Sequence, residues 1–393
     1  MTKEEYLELC SKRYDELKAL NKIDNFYDYE SEFVRIMKDL GKEVLQKQLS
    51  DLPADRRKKK TLTQFGEISI ENSHPFSTGK NGFQISPLMQ EKIVYVGQMD
   101  CYENCSEVLE KLSGVQVGAT QIYRLTDAYG KGVKEVVNAE RALSPLKPDE
   151  VLYAQADGSM VLTREEGWKE VKVGRFFKSS DCIHTGTEQG WISNSQYVAH
   201  LGNSKDFTAA MDNLLESFGK LDKRLIFISD GATWIKNWIE DAFPQAISIL
   251  DYYHACEHLH EFSGSFFKNK DVEQKWTTQQ KELLLESQVS EVIKNIQVLA
   301  GTTNKEAENL VAYYQVNKDR MEYKRYKQMG CGIIGSGAIE SAHRTVIQKR
   351  MKLSGQRWSK QGAQNMLNLR VINKNKQWSK VIKMSKYGIM PTG

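Results

Sequence analysis

The sequence predicts an α/β protein, and a strand–helix–strand unit in the middle of the chain carries this prediction. Two apolar runs with β-branched residues, Leu225–Ile228 and Ala246–Leu250, have the length of short strands. Between them, Ala232–Phe243 has apolar residues at helical spacing, and Pro244 ends the helix. This order indicates two parallel strands of one sheet that are joined by a crossover helix.

An aspartate follows each of these two strands, Asp230 after the first and Asp251 after the second. Parallel strands of one unit end at the same edge of the sheet, which is where α/β proteins commonly bind ligands. Carboxylate oxygens are ligands that Mg²⁺ prefers. The unit therefore indicates a divalent metal site at this edge.

The residues before this unit predict further strands of the same sheet. A buried strand, Val151–Ala156, is expected to end at Asp157, with a turn at Gly158. A meander followed by strand–helix–strand units, with one carboxylate on the first strand and one after a later strand, fits the ribonuclease-H-like architecture. The strands expected to pair beside the first are Met160–Thr163, Glu170–Phe177 and Gln196–Leu201.

The residues after Asp251 change to a long helical pattern that runs from His254 to about Met329. A glycine-rich segment then leads into a predicted helix, Ala338–Lys352, with Glu340 in its first turn. An acidic residue there interacts favourably with the helix dipole. Glu340 is therefore either a partner of the helix N-terminus or a third carboxylate of the metal site.

The amino-terminal part predicts helices, among them a pair that resembles a helix-turn-helix. Tyr102–Leu112 and Ala119–Tyr129 flank a turn that contains glycine, and Leu109, Leu112, Val117 and Ile122 are expected to pack its core. The second helix would present Gln121 and Arg124 to a DNA major groove. A purely structural helical hairpin explains the same spacing.

The charge of the chain is uneven. Between Ser341 and Gly393 there are twelve Lys and Arg residues and no Asp or Glu, although the whole chain has 55 basic and 51 acidic residues. An unmixed basic segment favours binding to a polyanion such as DNA. Trp358 either stacks on an unpaired base or anchors the core. The candidate phosphate contacts are Arg344, Lys349, Arg350, Lys352 and Arg357.

The composition excludes two classes of protein. No apolar run approaches the roughly 18 residues of a membrane span, and the first thirty residues are charged, so a soluble intracellular protein without a membrane partner is expected. The six cysteines are scattered without CxxC spacing, which argues against a disulfide framework and favours reduced thiols.

Three collinear stretches carry a family resemblance. They are DGATWIKNW from Asp230, ILDYYHACEHL from Ile249, and GSGAIESAHRTVIQKRMKLSGQRWS from Gly335, which continues in GAQNMLNLR from Gly362. In this order they resemble bacterial insertion-sequence transposases of the Kra type, which belong with the Mutator-like DDE transposases. The resemblance is close over Val151–Val371 and looser before it.

This resemblance implies a catalytic triad of Asp157, Asp230 and Glu340, which would hold two Mg²⁺ or Mn²⁺ ions. It implies a ribonuclease-H-like catalytic domain with an all-α insertion, preceded by a mainly helical DNA-binding region. Asp251 and His254 match the D-x-x-H element of the Mutator-like enzymes, and they either support the metal ligands or simply cap a helix.

The activity implied is metal-dependent cleavage of DNA at the ends of an insertion sequence, followed by strand transfer into target DNA. The expected partners are double-stranded DNA and at least one further copy of the chain, in the nucleoid of the bacterial cytoplasm. The alternatives are an inactive or domesticated DNA-binding relative and a nuclease of the same fold.

A different activity is suggested by His254, Glu257 and His258, which spell H-x-x-E-H. In inverted zinc proteases the two histidines of this motif bind zinc and the glutamate activates water. A motif of five residues also arises by chance, and this alternative leaves Asp157 and the basic segment unexplained.

The domain organisation predicted from these features has six segments. They are a helical oligomerisation region (1–55), a strand and helix-turn-helix region (56–147), the first part of the ribonuclease-H-like core (148–262), the helical insertion (263–329), the glutamate helix of the core (330–354) and a basic tail (355–393).

Overall fold

The computed structural model describes residues 1–50, 58–77, 79–139, 144–186, 190–219, 221–301 and 304–389. The chain forms two compact units, of which the first contains Met1–Val133 and Gln377–Gly393, and the second contains Lys134–Lys376. The predicted boundary between residues 55 and 56 lies outside the described residues. Within the described ranges, no helix has both the length and the apolar composition that crossing a membrane requires.

The first unit is mainly helical and contains one β-hairpin. Its opening helices are capped by Thr2 and Asn25, whose side-chain oxygens each accept a backbone N–H three residues further on. Strands β1 and β2 pair in antiparallel orientation. Before the chain enters the second unit, its helices and strands are α1 (Lys3–Ala19), α2 (Phe26–Gln48), β1 (Lys58–Thr63), β2 (Gly66–Glu71), α3 (Pro87–Gly97), α4 (Tyr102–Ser113) and α5 (Ala119–Ala139).

The predicted helical pair corresponds to α4 and α5. Gly114 ends α4 in the left-handed conformation, with φ 61°, which glycine adopts without strain. Three of the four predicted core residues are buried, but Leu112 is 83% exposed, so its prediction is wrong. On α5, Arg124 is exposed and Gln121 is half-buried. DNA readout by Gln121 and Arg124 therefore remains a prediction.

The second unit is built on a five-stranded mixed sheet, which confirms the mixed α/β class. β3, β4 and β7 are antiparallel neighbours, whereas β8 runs parallel to β3 and β9 runs parallel to β8. The order across the sheet is β7-β4-β3-β8-β9, and β5 pairs with β6 in a separate ribbon. The strands are β3 (Leu152–Thr163), β4 (Gly167–Lys178), β5 (Cys182–His184), β6 (Gly190–Ile192), β7 (Gln196–Leu201), β8 (Leu225–Ser229) and β9 (Ile247–Leu250).

Each face of the central strands packs against its own layer of helices. Leu152 and Phe227 lie in a core with α6 and α7, while Tyr153 and Ile228 lie in a second core on the opposite face. Because side chains alternate along a strand, both layers require apolar residues, which is why β8 is apolar along nearly its whole length. The helices are α6 (Ser204–Glu216), α7 (Thr233–Ala242), α8 (Tyr252–Phe266), α9 (Lys270–Leu285), α10 (Val289–Ala300), α11 (Lys305–Asn317) and α12 (Tyr323–Tyr326).

A continuous helical segment follows the glycine-rich stretch. It consists of α13 (Gly337–Ala342), a π-helical part (His343–Gln348) and α14 (Lys349–Met351). π-helical turns are rare and frequently occur at functional sites. The chain ends in α15 (Lys360–Lys374), which belongs to the second unit, and α16 (Ser379–Tyr387), which belongs to the first.

The first strand of the sheet is longer than predicted. Asp157 was expected to end it, but β3 continues through Asp157 and Gly158 to Thr163, and the turn follows that residue. Gly158 stays extended and pairs with Lys172, and the Glu170 side chain occupies the space that a Cβ atom would need there. Glycine at this position therefore permits close packing and does not form a turn.

Helix α15 protects the exposed edge of the sheet with a side-chain amide. Asn375 accepts the backbone N–H of Tyr197 through Oδ1 at 2.8 Å and donates to the carbonyl of Tyr197 through Nδ2 at 3.0 Å. The amide thus takes the place of a neighbouring strand at β7. Edge strands left with free backbone groups tend to pair with other chains.

We predict that Asn375→Ala lowers the free energy of unfolding by about 1–3 kcal/mol, because it leaves buried backbone groups of Tyr197 without a partner. Urea denaturation followed by circular dichroism measures this loss. The matched control is Asn309→Ala, which truncates an exposed asparagine on α11. Equal unfolding midpoints for the two variants would show that the edge contact contributes nothing.

Candidate functional site

Three aspartates occupy equivalent positions on three neighbouring parallel strands. Asp157 lies two residues after a residue of β3 whose partner on β8 lies two residues before Asp230. Asp251 lies one residue after a residue of β9 whose partner on β8 lies one residue before Asp230. Parallel pairing therefore brings all three to the same end of these strands. The pairs that fix this register are Gln155 with Ile228 and Ser229 with Leu250.

Asp157 interacts with a buried histidine. Its Oδ1 accepts the Gly158 N–H at 2.7 Å, and its Oδ2 lies 3.2 Å from Nε2 of His343, which is 5% exposed. Burial raises the pKa of Asp157, but His343, the Gly158 N–H and His254 together outweigh burial, so the pKa lies below its ordinary value. The carboxylate is therefore held ionised at neutral pH.

Asp230 lies directly beyond β8 and interacts with the start of the crossover helix. Its Oδ1 accepts the backbone N–H of Ala232 at 3.1 Å. The ring of Tyr313 packs so closely on Gly231 that no Cβ atom would fit there. Burial, and after it the charge of Asp230, raises the pKa of Tyr313. Asp230 thus binds the backbone just before the crossover helix and places a negative charge near the half-buried ring of Tyr313.

Asp251 is buried at the start of α8, where it caps the helix by accepting the Tyr253 N–H at 2.9 Å. Burial raises its pKa above the ordinary value, although a hydrogen bond with Ser336 and backbone N–H groups oppose this rise. The Ser336 hydroxyl donates its proton to Oε1 of Glu340 at 2.9 Å. Ser336 therefore links Asp251 to the helix that carries Glu340.

Glu340 is exposed on α13, one helical turn before His343. Since His343 contacts Asp157, the helix that carries Glu340 lies beside β3. The donor atoms suit Mg²⁺, but within the described parts of the chain no three His, Cys, Asp or Glu side chains converge as ligands of one metal ion. The structure thus brings the backbones of the predicted triad to one region without assembling their carboxylates into a ligand set.

Buried arginines, which the sequence prediction missed, hold this region together. Arg175 donates from Nη1 to the carbonyl of Ala338 at 2.6 Å, at the start of the Glu340 helix. Arg370 donates from Nε to the carbonyl of Val346 at 3.1 Å and from Nη2 to that of Thr345, within the π-helical part. Burial, and after it the charge of Arg350, lowers the pKa of Arg370 to about 10.

A third buried arginine binds the ends of the parallel strands. Arg320 donates from Nη2 to the Ser229 hydroxyl at 2.8 Å and to the carbonyl of Ile249 at 3.3 Å, next to Asp230 and Asp251. Burial lowers its pKa. No local sequence signal identifies such contacts, because the partners are between 71 and 91 residues apart.

The predicted DNA contacts divide into exposed and buried residues. Arg350 is fully buried, and its guanidinium lies 5.0 Å from the ring centre of Trp358, which is 6% exposed. The indole donates to the carbonyl of Met351 at 3.1 Å, so Trp358 is a core anchor. This burial corrects the prediction that Arg350 contacts a phosphate, and it favours the core alternative for Trp358. The basic candidates that remain exposed are Arg344, Lys349, Lys352 and Arg357.

The histidines of the H-x-x-E-H motif pack against each other on α8. The rings of His254 and His258 meet edge to face with their centres 4.7 Å apart. Nδ1 of His254 lies 3.2 Å from Glu257, whereas Nδ1 of His258 lies 3.3 Å from a different carboxylate, that of Glu261. Among the described residues, these side chains do not belong to a group of three or more potential metal ligands.

We predict that His343→Ala raises the pKa of Asp157, because removal of the imidazole leaves burial as the main influence. A lowered pKa stabilises the folded protein above that pKa and this stabilisation is lost on acidification, so the variant should lose less stability than the wild type below about pH 4. Carbon-13 NMR of labelled aspartate measures the pKa. The control is His184→Ala, an exposed histidine on β5; an unchanged pKa of Asp157 in His343→Ala would contradict the assigned interaction.

Comparisons with known proteins identify a family. Residues 25–387 match a family that is described as "Uncharacterised protein family (UPF0236)". A relative named "UPF0236 protein in vanSb 3'region", from Streptococcus gallolyticus, is 25% identical over 344 residues, which cover 79% of this chain and 71% of the relative. Neither description states an activity. Because the match spans most of its length, the chain belongs to the uncharacterised family UPF0236.

Proposed function

We propose that this protein is a DNA transposase of the DDE class, which cleaves DNA at the ends of a mobile element and joins them to target DNA. The sheet supports this proposal: an antiparallel meander, β3-β4-β7, is followed by parallel strands β8 and β9 that are reached through helices. That order, with a helical layer between β9 and the Glu340 helix, agrees with the ribonuclease-H-like architecture implied by the resemblance.

The single observation that carries the proposal is the strand register that aligns Asp157, Asp230 and Asp251. Together with the His343 contact, which holds the Glu340 helix beside β3, it gathers four carboxylate-bearing positions from distant parts of the chain. Ordinary folding does not require acidic residues to collect at one edge of a sheet, since like charges repel. Metal-dependent phosphoryl transfer does require them.

Asp157, Asp230 and Glu340 are the residues that would hold Mg²⁺ or Mn²⁺. When bound, such ions would supply activation of the attacking oxygen and charge stabilisation of the leaving oxygen in an in-line displacement at phosphorus. With water as the nucleophile the DNA would be nicked to leave a 3′-hydroxyl, and that hydroxyl would then attack target DNA. The Glu340 carboxylate accepts a hydrogen bond from the Ser336 hydroxyl, so the proposal requires the Glu340 side chain to turn toward Asp157.

We predict that Asp157→Asn, Asp230→Asn and Glu340→Gln each reduce DNA cleavage and joining by about 100-fold or more, while DNA binding persists. Even partners of metal ligands contribute about 10- to 100-fold, so ligands should contribute at least as much. The assay uses terminal-repeat DNA from the surrounding element with Mg²⁺ or Mn²⁺. Matched controls are Asp241→Asn and Glu308→Gln, which remove exposed carboxylates on α7 and α11.

The outcomes separate the proposed enzyme from a relative that binds DNA without cutting it. Cleavage by the wild type that is lost in the three variants and retained in the controls supports the enzyme. DNA binding without cleavage by the wild type, under conditions in which the protein is folded and metal is present, contradicts it and supports the non-cutting relative.

We predict that exposed basic residues of the Glu340 helix, Arg344 and Lys349, and Arg357 in the loop after it contribute to DNA affinity through phosphate contacts. Each contact adds about 0.9 to the slope of log affinity against log salt concentration, so Arg344→Ala, Lys349→Ala and Arg357→Ala should each reduce the slope by about that amount. Fluorescence anisotropy at several salt concentrations measures it. Lys275→Ala, an exposed lysine on α9, is the control, and equal slopes in all four variants would remove this surface from the interface.

A further inference from the structure

Two thiols that are far apart in sequence meet in the second unit. Cys182 is the first residue of β5, and Cys331 lies in the glycine-rich stretch that leads to the Glu340 helix. Their Sγ atoms are 2.8 Å apart, and both residues are half-buried free cysteines. A disulfide bond has an S–S distance of about 2.05 Å, so a bond between them requires a displacement of less than about 1 Å.

The surroundings hold Cys331 in this position. The Tyr153 hydroxyl accepts the backbone N–H of Cys331 at 3.1 Å and donates to the carbonyl of Met329 at 3.0 Å. Gly330 and Gly332, on either side, have φ values of 55° and 73°, which residues with a side chain rarely adopt. The backbone conformation and the tyrosine therefore direct this thiol toward Cys182.

The two thiols differ in acidity. The hydrogen bond between the two thiols lowers the pKa of Cys331, and burial opposes this effect. Cys331 and burial raise the pKa of Cys182. Of two adjacent thiols, the one with the lower pKa attacks an oxidant more readily and the other completes the disulfide.

We propose that Cys182 and Cys331 form a redox modification site that hydrogen peroxide converts to a disulfide. The Cys331 thiolate attacks one peroxide oxygen, the O–O bond breaks, and a sulfenic acid and hydroxide form. The Cys182 sulfur then attacks the sulfenic sulfur, the S–O bond breaks, and water leaves as the Cys182 proton is transferred. In total, two thiols and one peroxide give one disulfide and two waters.

The disulfide would tie the small β5–β6 ribbon to the segment that enters the Glu340 helix. Glu340 lies nine residues after Cys331, and the proposed reaction requires its side chain to turn toward Asp157. A bond at Cys331 would restrain the glycine-rich entry to that helix. Oxidation should therefore lower DNA cleavage. This effect on cleavage rests on the proposed function, but formation of the disulfide is independent of that function.

Thiol counting on the folded full chain tests the bond. The reduced wild type has six titratable thiols after denaturation, and peroxide treatment should leave four, with mass spectrometry identifying one peptide pair that joins Cys182 to Cys331. Cys182→Ser should begin with five thiols and give no joined peptide pair, with Cys331 recovered as a sulfenic acid because the sulfur that completes the disulfide is absent. Circular dichroism confirms that the variant is folded, and Cys331→Ser is the second variant if it is not.

The results have distinct meanings. Six thiols remaining in the treated wild type, or a joined pair other than Cys182 and Cys331, would overturn the modification site. In the cleavage assay, peroxide should reduce wild-type activity at least about 10-fold, dithiothreitol should restore it, and Cys182→Ser should be insensitive. Equal cleavage by reduced and disulfide-bonded protein would overturn the inference that the disulfide controls activity. No cleavage by the reduced protein would overturn the proposed function, and the thiol count would still decide whether the disulfide forms.

Discussion

The parallel pairing of β3 with β8, and of β8 with β9, is the constraint on which the candidate site depends. A slip of one residue in this register would turn every side chain of a strand to the opposite face. Such a slip is unfavourable because Leu152 and Phe227 fill one core while Tyr153 and Ile228 fill the other. The two apolar cores therefore fix where the polar residues beyond the paired segments emerge, and the aspartates align as a consequence of core packing.

The Glu340 helix reaches this edge through buried guanidinium groups. A buried cation is costly unless it is well hydrogen-bonded, and Arg175 and Arg370 meet this condition by binding carbonyls at the start and in the middle of the helix. The contact of Arg370 falls in the π-helical part, where the carbonyls depart from the ordinary α-helical pattern. The helix backbone is thus held at two points, which leaves the Glu340 side chain and the glycine-rich entry as the parts that can adjust.

Local patterns predicted the strand–helix–strand unit to within one or two residues, because apolar periodicity over a few residues determines β8, α7 and β9. The same rule applied to the glutamate helix would have placed Arg350 inside, since Ile339, Ala342 and Val346 are buried at helical spacing and Arg350 continues that spacing. Arg350 was instead assigned to a DNA contact because of its positive charge, although its position in the helix indicates burial. The contact between Cys182 and Cys331 and those of the buried arginines join residues far apart in sequence, so no local pattern carries them.

The carboxylates at this edge each interact with a different group of the protein. Asp157 faces His343, Asp230 and Asp251 accept backbone N–H groups at the starts of helices, and Glu340 accepts the Ser336 hydroxyl. These separate interactions offset the repulsion that four neighbouring acidic groups would otherwise feel. A divalent cation would compete with the Ser336 hydroxyl for Glu340 and with His343 for Asp157, and both of these groups lie on the segment that runs from the glycine-rich entry into the π-helical part. Binding of a metal ion would therefore be coupled to the conformation of this segment, because the same carboxylate oxygens would take part in both.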